Sequence, residues 1–468
     1  MMNSARTFTA LAVTALTFAT LQSLLVPVLP VIQQDLHTDA AGATWTLTAW
    51  LITAAVATPL LGRIGDLAGK RRIFLVTVAA VGVGSVVAAL APTLGVLLAA
   101  RVLQGLGGAM FPLAFGILRD TFPAARLPAG IGAFSALTAV GAGLGTVLAG
   151  PLAAALGWRG LFLIPLVGML VGAVLTLRWV PDSTTRAGGR VNVPAAVLLA
   201  GWLVALLLPL SSGAQWGWGS PAVIGLFVLA AVLVAAWALV ELRSRTPLVD
   251  LRTLAAPALW STNLAAVFFG AAMFGVFAYF PRFAQTPASS GYGLGLTVGE
   301  SGLLMLPMLI TMAAMGFLAG PLTRFVEPRR QLIAAALLLA LPTASLALFH
   351  HNAWQLGTAA AFFGIGLGAG FAAMTTVVVQ NVPPTETGVA SGVNANLRTI
   401  GSALGTVLLT AIVTGTAGPT GIPTESGYEY GFLTLAALAV VSALIVITAR
   451  PHRRPAPAPV EALTPEPV

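Results

Sequence analysis

Long apolar runs separated by short polar breaks repeat along nearly the whole of this chain. Runs long enough to cross ~30 Å of hydrocarbon as helices fall near residues 8–30, 44–61, 73–91, 95–118, 129–155, 160–179 and 194–211. Seven more fall near 221–240, 258–280, 301–323, 331–349, 353–379, 388–416 and 430–449. The pattern predicts fourteen transmembrane helices, and an even number places both termini on one side. The first run follows a lone Arg and resembles a signal peptide. No small-residue cleavage site ends it and many runs follow, so a retained first helix is expected.

The breaks carry the charge, and the charge sets the topology. Arg6, Arg63, Lys70, Arg71, Arg72, Arg119, Arg126, Arg178, Arg186 and Arg190 fall on one face of this threading. So do Arg243, Arg245, Arg252, Arg324, Arg329, Arg330, Arg450, Arg453 and Arg454, making nineteen of the twenty-three basic residues. Only Arg159 and Arg282 fall on the other face, and Arg101 and Arg398 lie within runs. Basic loops face the cytoplasm, so a multi-pass protein of the plasma membrane with both termini cytoplasmic is expected.

Composition narrows the function. The chain is 57% hydrophobic and 8% charged, with a mean hydropathy of +0.94, against about 25% charged in soluble domains. The formal charge of +9 reports topology, so no nucleic-acid partner is expected. The absence of cysteine excludes disulfides, thiolate catalysis and cysteine metal sites, and nothing implies a cofactor. His37, His350, His351 and His452 fall in loops or the tail. That disfavours a polytopic membrane enzyme, which needs ligands, acids or nucleophiles clustered at one depth.

The second break reads Gly62-Arg63-Ile64-Gly65-Asp66-Leu67-Ala68-Gly69-Lys70-Arg71-Arg72. Its glycines permit a tight turn and close helix approach. Asp66 stands where an incoming helix end can donate to it, or where Arg63 or Arg71 can pair with it. This G-x-x-x-D-x-x-G-[RK]-[RK] pattern resembles the signature loop between helices 2 and 3 of the major facilitator superfamily. Gly62, Arg63, Asp66, Gly69 and Arg71 are accordingly expected to form a cytoplasmic gate.

An internal repeat extends the resemblance. The segment from Gly320 to Arg330 overlies the Gly62 segment at an offset of 258, keeping the first Gly and the final Arg pair. Gly105-Leu106-Gly107 matches Gly366-Leu367-Gly368 at 261, and Leu144–Leu148 matches Leu404–Leu408 at 260. Parallel halves of this kind place a substrate site between them near the midplane. The expected fold is all-α and integral to the membrane, a major facilitator fold of fourteen helices in a 6+2+6 order. A six-helix bundle covers 1–180, two inserted helices and linkers 181–257, a second bundle 258–450, and a disordered proline-rich cytoplasmic tail 451–468.

Further motifs sharpen the expectation. Arg101-Val102-Leu103-Gln104-Gly105-Leu106-Gly107-Gly108 resembles the family's helix-4 motif, with Gln104 at i+3 on the face of an Arg buried ~10 Å deep. Gly141, Gly145, Gly150 and the adjoining Pro151 resemble the antiporter motif, with Thr146 in place of a Pro and Ala149 in place of a Gly. The glycines offer a smooth stripe for helix packing. Trp158-Arg159-Gly160 follows at the family's spacing. Gln215-Trp216-Gly217-Trp218 and the segment Glu241–Asp250 look like the fourteen-span drug:proton antiporter branch. The resemblance implies a secondary exporter of small amphiphilic compounds by alternating access, proton-coupled and monomeric in membrane lipid. A lipid or lipid-linked metabolite carrier of the same fold is the alternative.

One departure bears on mechanism. The branch carries an intramembrane Asp in the first helix, whereas here the segment is Leu21-Gln22-Ser23-Leu24-Leu25-Val26-Pro27, without an acid. All fourteen acids fall at or beyond the ends of the runs. Glu300 and Asp35 are left as candidates for proton coupling. Arg398, ~16 Å into its run, joins Gln22, Arg101, Gln104 and Asn394 as expected cavity residues. With two arginines and no balancing acid at that depth, neutral or anionic substrates are favoured.

Overall fold

A computed structural model describes residues 2–25, 28–183, 188, 190–416 and 423–449. Every regular element among these residues is helical. The first half comprises α1 (Met2–Leu24), α2 (Leu29–Asp35), α3 (Ala40–Ala68), α4 (Lys70–Ala89), α5 (Leu94–Gly105), α6 (Met110–Thr121), α7 (Leu127–Gly160) and α8 (Leu163–Trp179). Then come α9 (Val193–Trp216), α10 (Pro221–Arg243) and the short α11 (Leu251–Leu254). The second half comprises α12 (Pro257–Gln285), α13 (Val298–Leu304), α14 (Leu306–Leu322), α15 (Pro328–Leu348), α16 (Ala353–Asn381), α17 (Thr387–Gly415) and α18 (Glu425–Thr448). The tail expected at 451–468 lies outside the described residues.

Local chemistry starts these helices. Asp39, Thr93, Asn192, Ser220 and Thr424 each accept a hydrogen bond from a backbone N–H of the first turn, satisfying donors that the helix leaves open. Gly69 ends α3 and begins α4 with φ 107 and ψ 120, a backbone that only glycine adopts readily. The corner expected in the Gly62 segment is therefore this one residue.

Thirteen helices among the described residues are long and apolar enough to cross a membrane. The count reaches fourteen when the pair Leu148–Gly160 and Leu163–Trp179, bent by 82°, is taken as one broken span. The expected break between 155 and 160 is shifted accordingly: helix continues to Gly160, with Gly157 at φ 69 inside it. The first run also divides, α1 ending at Leu24 and α2 starting at Leu29 with Pro30 in its first turn.

Two apolar cores form, one per half. The first gathers Phe18, Phe74, Leu113, Phe134 and Met169. The second gathers Phe269, Leu339, Phe363, Leu367 and Phe432. A third cluster seats Leu199, Leu203, Leu207 and Trp237 of the inserted pair against Ala55 of α3 and Val389 and Ile400 of α17. The inserted helices thus lie over a seam between the halves.

The repeat read from sequence has a structural counterpart. Short 3₁₀ turns at Ala124–Arg126 and Pro384–Glu386, 260 residues apart, lead into α7 and α17. In turn α7 packs on α14 and α17 packs on α3, two equivalent crossings. Both occur toward the end of the molecule that carries the α3–α4 and α14–α15 loops, called the basic face below.

Candidate functional site

At the basic face the halves meet backbone to backbone. A Cβ on Gly62 would stand 2.8 Å from Gly388 O, and one on Gly388 would stand 2.8 Å from Gly62 O. The second crossing repeats this: a Cβ on Gly320, the repeat partner of Gly62, would stand 2.2 Å from Ala129 Cα and 2.5 Å from Pro128 O. Along α7 the approach then loosens. A Cβ on Gly132 would meet Gly316 O at 2.6 Å, one on Gly143 a Leu309 side chain at 2.8 Å, and one on Gly150 nothing within 4 Å.

Polar groups lock the first crossing. Asp66 is fully buried, and its Oδ2 accepts from Val389 N at 3.3 Å. Val389 lies in the first turn of α17, so a carboxylate of one half caps a helix of the other, where the helix dipole favours negative charge. Lys70, also fully buried, stands 4.0 Å from Asp66 Oδ1 and donates to both oxygens of Asp120, at 3.1 and 2.9 Å, and to Pro384 O at 3.3 Å. Arg119 donates to Thr387 Oγ1 at 2.7 Å and to Val382 O at 2.8 Å. Deeper in, Asn396 Nδ2 donates to Ala55 O at 2.6 Å. Buried charges persist when paired and hydrogen-bonded in this way, and here the partners come from both halves.

The expected gate residues divide. Gly62 and Asp66 sit at the crossing and Gly69 makes the corner. Of the two settings open to Asp66, the helix end is the one observed. Arg71 turns away, to Asp182 and to Leu177 O at 2.7 Å within its own half. Arg63 is buried and its Nε makes no hydrogen bond. Lys70, Arg119 and Asn396 carry the other cross-half bonds, and Asp120 holds Lys70 in place from the same half. Lys70 and Asn396 were visible in the sequence as polar residues, but their partners lie hundreds of positions away.

The expected cavity residues also divide. Arg101 is fully buried inside the first bundle, its Nε donating to Thr46 O at 3.0 Å and its Nη1 to Gln104 Oε1 at 2.6 Å. Gln104 Nε2 passes the chain on to Ser85 Oγ at 3.2 Å, and the Trp50 ring lies 5.7 Å from the guanidinium. The network ties α3, α4 and α5 together. It is not an open wall, because the smooth surface at Gly105 and Gly108 lets α3 close over it: their Cβ positions would fall within 2.9 Å of Thr53 and Ala54. Asn394 is likewise buried, donating to Asn263 Oδ1 of α12 at 3.0 Å. Gln22 and Arg398 are half-buried. The Arg398 guanidinium lies 4.5 Å from the ring centroid of Phe371 on α16, within cation–π range.

Three further expectations are corrected. Gly141 and Gly145 pack α7 onto α1, with Cβ positions 2.5 Å from Leu16 O and 2.4 Å from Thr20 O. Gly150 and Pro151 are exposed, so the packing stripe ends before them. Glu300 is exposed and forms a capping box at the start of α13: its Oε2 accepts from Thr297 N at 2.9 Å and Thr297 Oγ1 at 2.8 Å, while its N–H donates to Thr297 Oγ1 at 3.2 Å. Asp35 pairs with Arg159 and accepts from Trp158 Nε1 at 3.0 Å. These two partners hold its carboxyl below the usual range, so it stays ionised at neutral pH. Neither acid has the setting of a proton carrier.

Two packed helical halves, parallel repeats of one another and latched at one face, define a membrane transporter. Residues 11–406 match the Major Facilitator Superfamily, and the chain belongs to that family. It is 29% identical over 380 residues to the tetracenomycin C resistance and export protein of Streptomyces glaucescens, covering 80% of this chain and 69% of that protein. It is 31% identical over 386 residues to the multidrug resistance protein Stp of Mycobacterium tuberculosis, covering 80% and 70% respectively. In fold it resembles the human organic anion transporter MFSD10, with 16% identity, a TM-score of 0.68, and 95% of this chain and 99% of that one covered.

Proposed function

We propose that this protein is a secondary exporter of small amphiphilic compounds in the plasma membrane, working by alternating access, with its basic face in the cytoplasm. The observation that carries the reading is the cross-half cap, Asp66 on the first turn of α17. It is a bond that must break when the halves part at that face, and it sits beside the backbone crossing of Gly62 and Gly388. Resistance and export by the relatives supply the direction of transport. The halves are read as six-helix bundles that rock about the midplane, with α9 and α10 as an inserted pair, giving fourteen spans and a working monomer.

Within this reading Arg398 is the substrate-facing cation and Gln22 a polar cavity residue of the other half. Neutral or anionic amphiphiles suit that setting, and a lipid-like molecule with an anionic head would satisfy it too. Proton coupling belongs to the proposal, with the buried carboxylate Asp66 as the group that reaches water only when the latch opens and the half-buried Asp120, bonded to Lys70, beside it. Inverted membrane vesicles test the whole reading. Uptake of an anionic fluorescent amphiphile should rise when the vesicle interior is acidified and collapse with a protonophore. Gradient-independent uptake would remove proton coupling, and no uptake of any amphiphile would remove the exporter.

A further inference from the structure

On the face opposite the basic loops, the connection between α15 and α16 brings His350 and His351 beside Glu425, the first residue of α18. One ligand-capable atom from each lies within 4.8 Å of the others. His350 is buried, with its Nδ1 2.8 Å from Leu346 O and its Nε2 2.8 Å from Glu425 Oε1. A carbonyl oxygen can only accept, so Nδ1 carries a proton and donates it. The Phe283 ring stands edge-on to the imidazole at 5.3 Å and fixes its plane. Nε2 is therefore presented, in one orientation, to a carboxylate and a second imidazole. An Nδ1–H held by a backbone carbonyl is how metal-ligating histidines are oriented through the other ring nitrogen.

We propose that His350, His351 and Glu425 form a binding site for a divalent transition-metal ion, Zn²⁺ being the best match. The ligands are His350 Nε2, one His351 ring nitrogen and a Glu425 oxygen, with the fourth tetrahedral position open to solvent. The ion replaces the proton that bridges Nε2 and Oε1, and that proton leaves to water. Bonds of about 2.0–2.2 Å at tetrahedral angles set those two atoms about 3.4 Å apart. Glu425 is 40% exposed and has room to make that small shift. Two imidazoles with one carboxylate select zinc over calcium or magnesium, which take oxygen ligands. A bound ion clamps the α15–α16 connection to the start of α18.

Calorimetric titration of Zn²⁺ into the full chain, purified in detergent on a histidine-free tag, tests the site. One ion per chain is expected, with Ca²⁺ giving no heat of binding. His351→Ala and Glu425→Gln should each weaken Zn²⁺ by about tenfold or more. Both side chains are at least partly exposed, so both variants should elute from gel filtration as the parent does. Co²⁺ should give visible absorption bands of tetrahedral strength in the parent and lose them in His351→Ala. Absence of Zn²⁺ binding in the parent, or binding that survives both substitutions, overturns the proposal and leaves His350 and Glu425 as a proton-bridged pair.

Discussion

Gly62 and Gly388 cross so closely that a methyl group on either would lie 2.8 Å from the other's carbonyl oxygen. The cap from Asp66 to Val389 N lies one turn from this crossing, so backbone contact and capping bond stand or fall together. Overpacking at such a point costs about 1–3 kcal/mol, and that cost falls only on the state in which the halves touch here.

Gly388→Val is therefore expected to hold the basic face open without unfolding either bundle. Because the chain has no cysteine, a single introduced Ser391→Cys reports this directly: Ser391 is buried beside the seam, and its labelling by a water-soluble maleimide should rise about fivefold or more with Gly388→Val, in line with such a cost. Unchanged labelling in a well-folded variant would mean that the crossing does not control access.

Asp66→Asn keeps an acceptor for Val389 N but removes the charge facing the α17 terminus and Lys70. A charge at a partly buried helix terminus contributes up to ~2 kcal/mol. Transport should fall about tenfold, equivalent to ~1.4 kcal/mol on one state, while expression stays normal. Full transport by a well-expressed Asp66→Asn protein would remove Asp66 from the latch.

Much of this arrangement was legible in the sequence, and the reasons are physical. Apolar runs are local signals, so a set of thirteen to fourteen spanning helices could be read directly, and the repeat offset of Gly62 and Gly320 has its counterpart in two equivalent crossings. The second copy has Arg324 where a strict offset would place an acid, so among the described residues only the first crossing carries a carboxylate cap. Long-range partnerships were not legible. Nothing near Asp66 in sequence says that Val389 donates to it, and Arg101 read as a cavity residue because its screen, α3, lies far back in the chain: Thr46, which accepts from Arg101, is 55 positions away. The helix-start role of Glu300 was legible: Thr297-x-x-Glu300 is a capping-box signature.

That capping role leads to a separate expectation. Glu300→Gln should leave pH-driven accumulation in vesicles as in the parent, because a glutamine at the same position still accepts from Thr297 N. Abolished accumulation, with downhill exchange spared, would return Glu300 to the coupling mechanism and displace the carboxylates of the latch.

Substrate charge is the sharpest consequence of the role proposed for Arg398. Arg398 is half-buried over Phe371, and among the described residues no carboxylate forms an ion pair with it or with Arg101. A guanidinium keeps its proton when buried, so in the substrate-facing role proposed for Arg398 the potential it projects is positive. At an effective dielectric near 20, a monocation ~8 Å from one such charge is repelled by ~2 kcal/mol, and an anion is attracted by as much. Purified protein should then bind an anionic amphiphile more tightly than a cation of similar size and shape. Arg398→Ala should weaken the anion about tenfold or more, which is less than that full interaction allows, and leave a neutral analogue little changed. Arg398→Lys should recover part of the loss, since the charge remains while the planar stacking on Phe371 does not. Equal affinity for anion and cation, indifferent to either substitution, would show that Arg398 does not face the substrate.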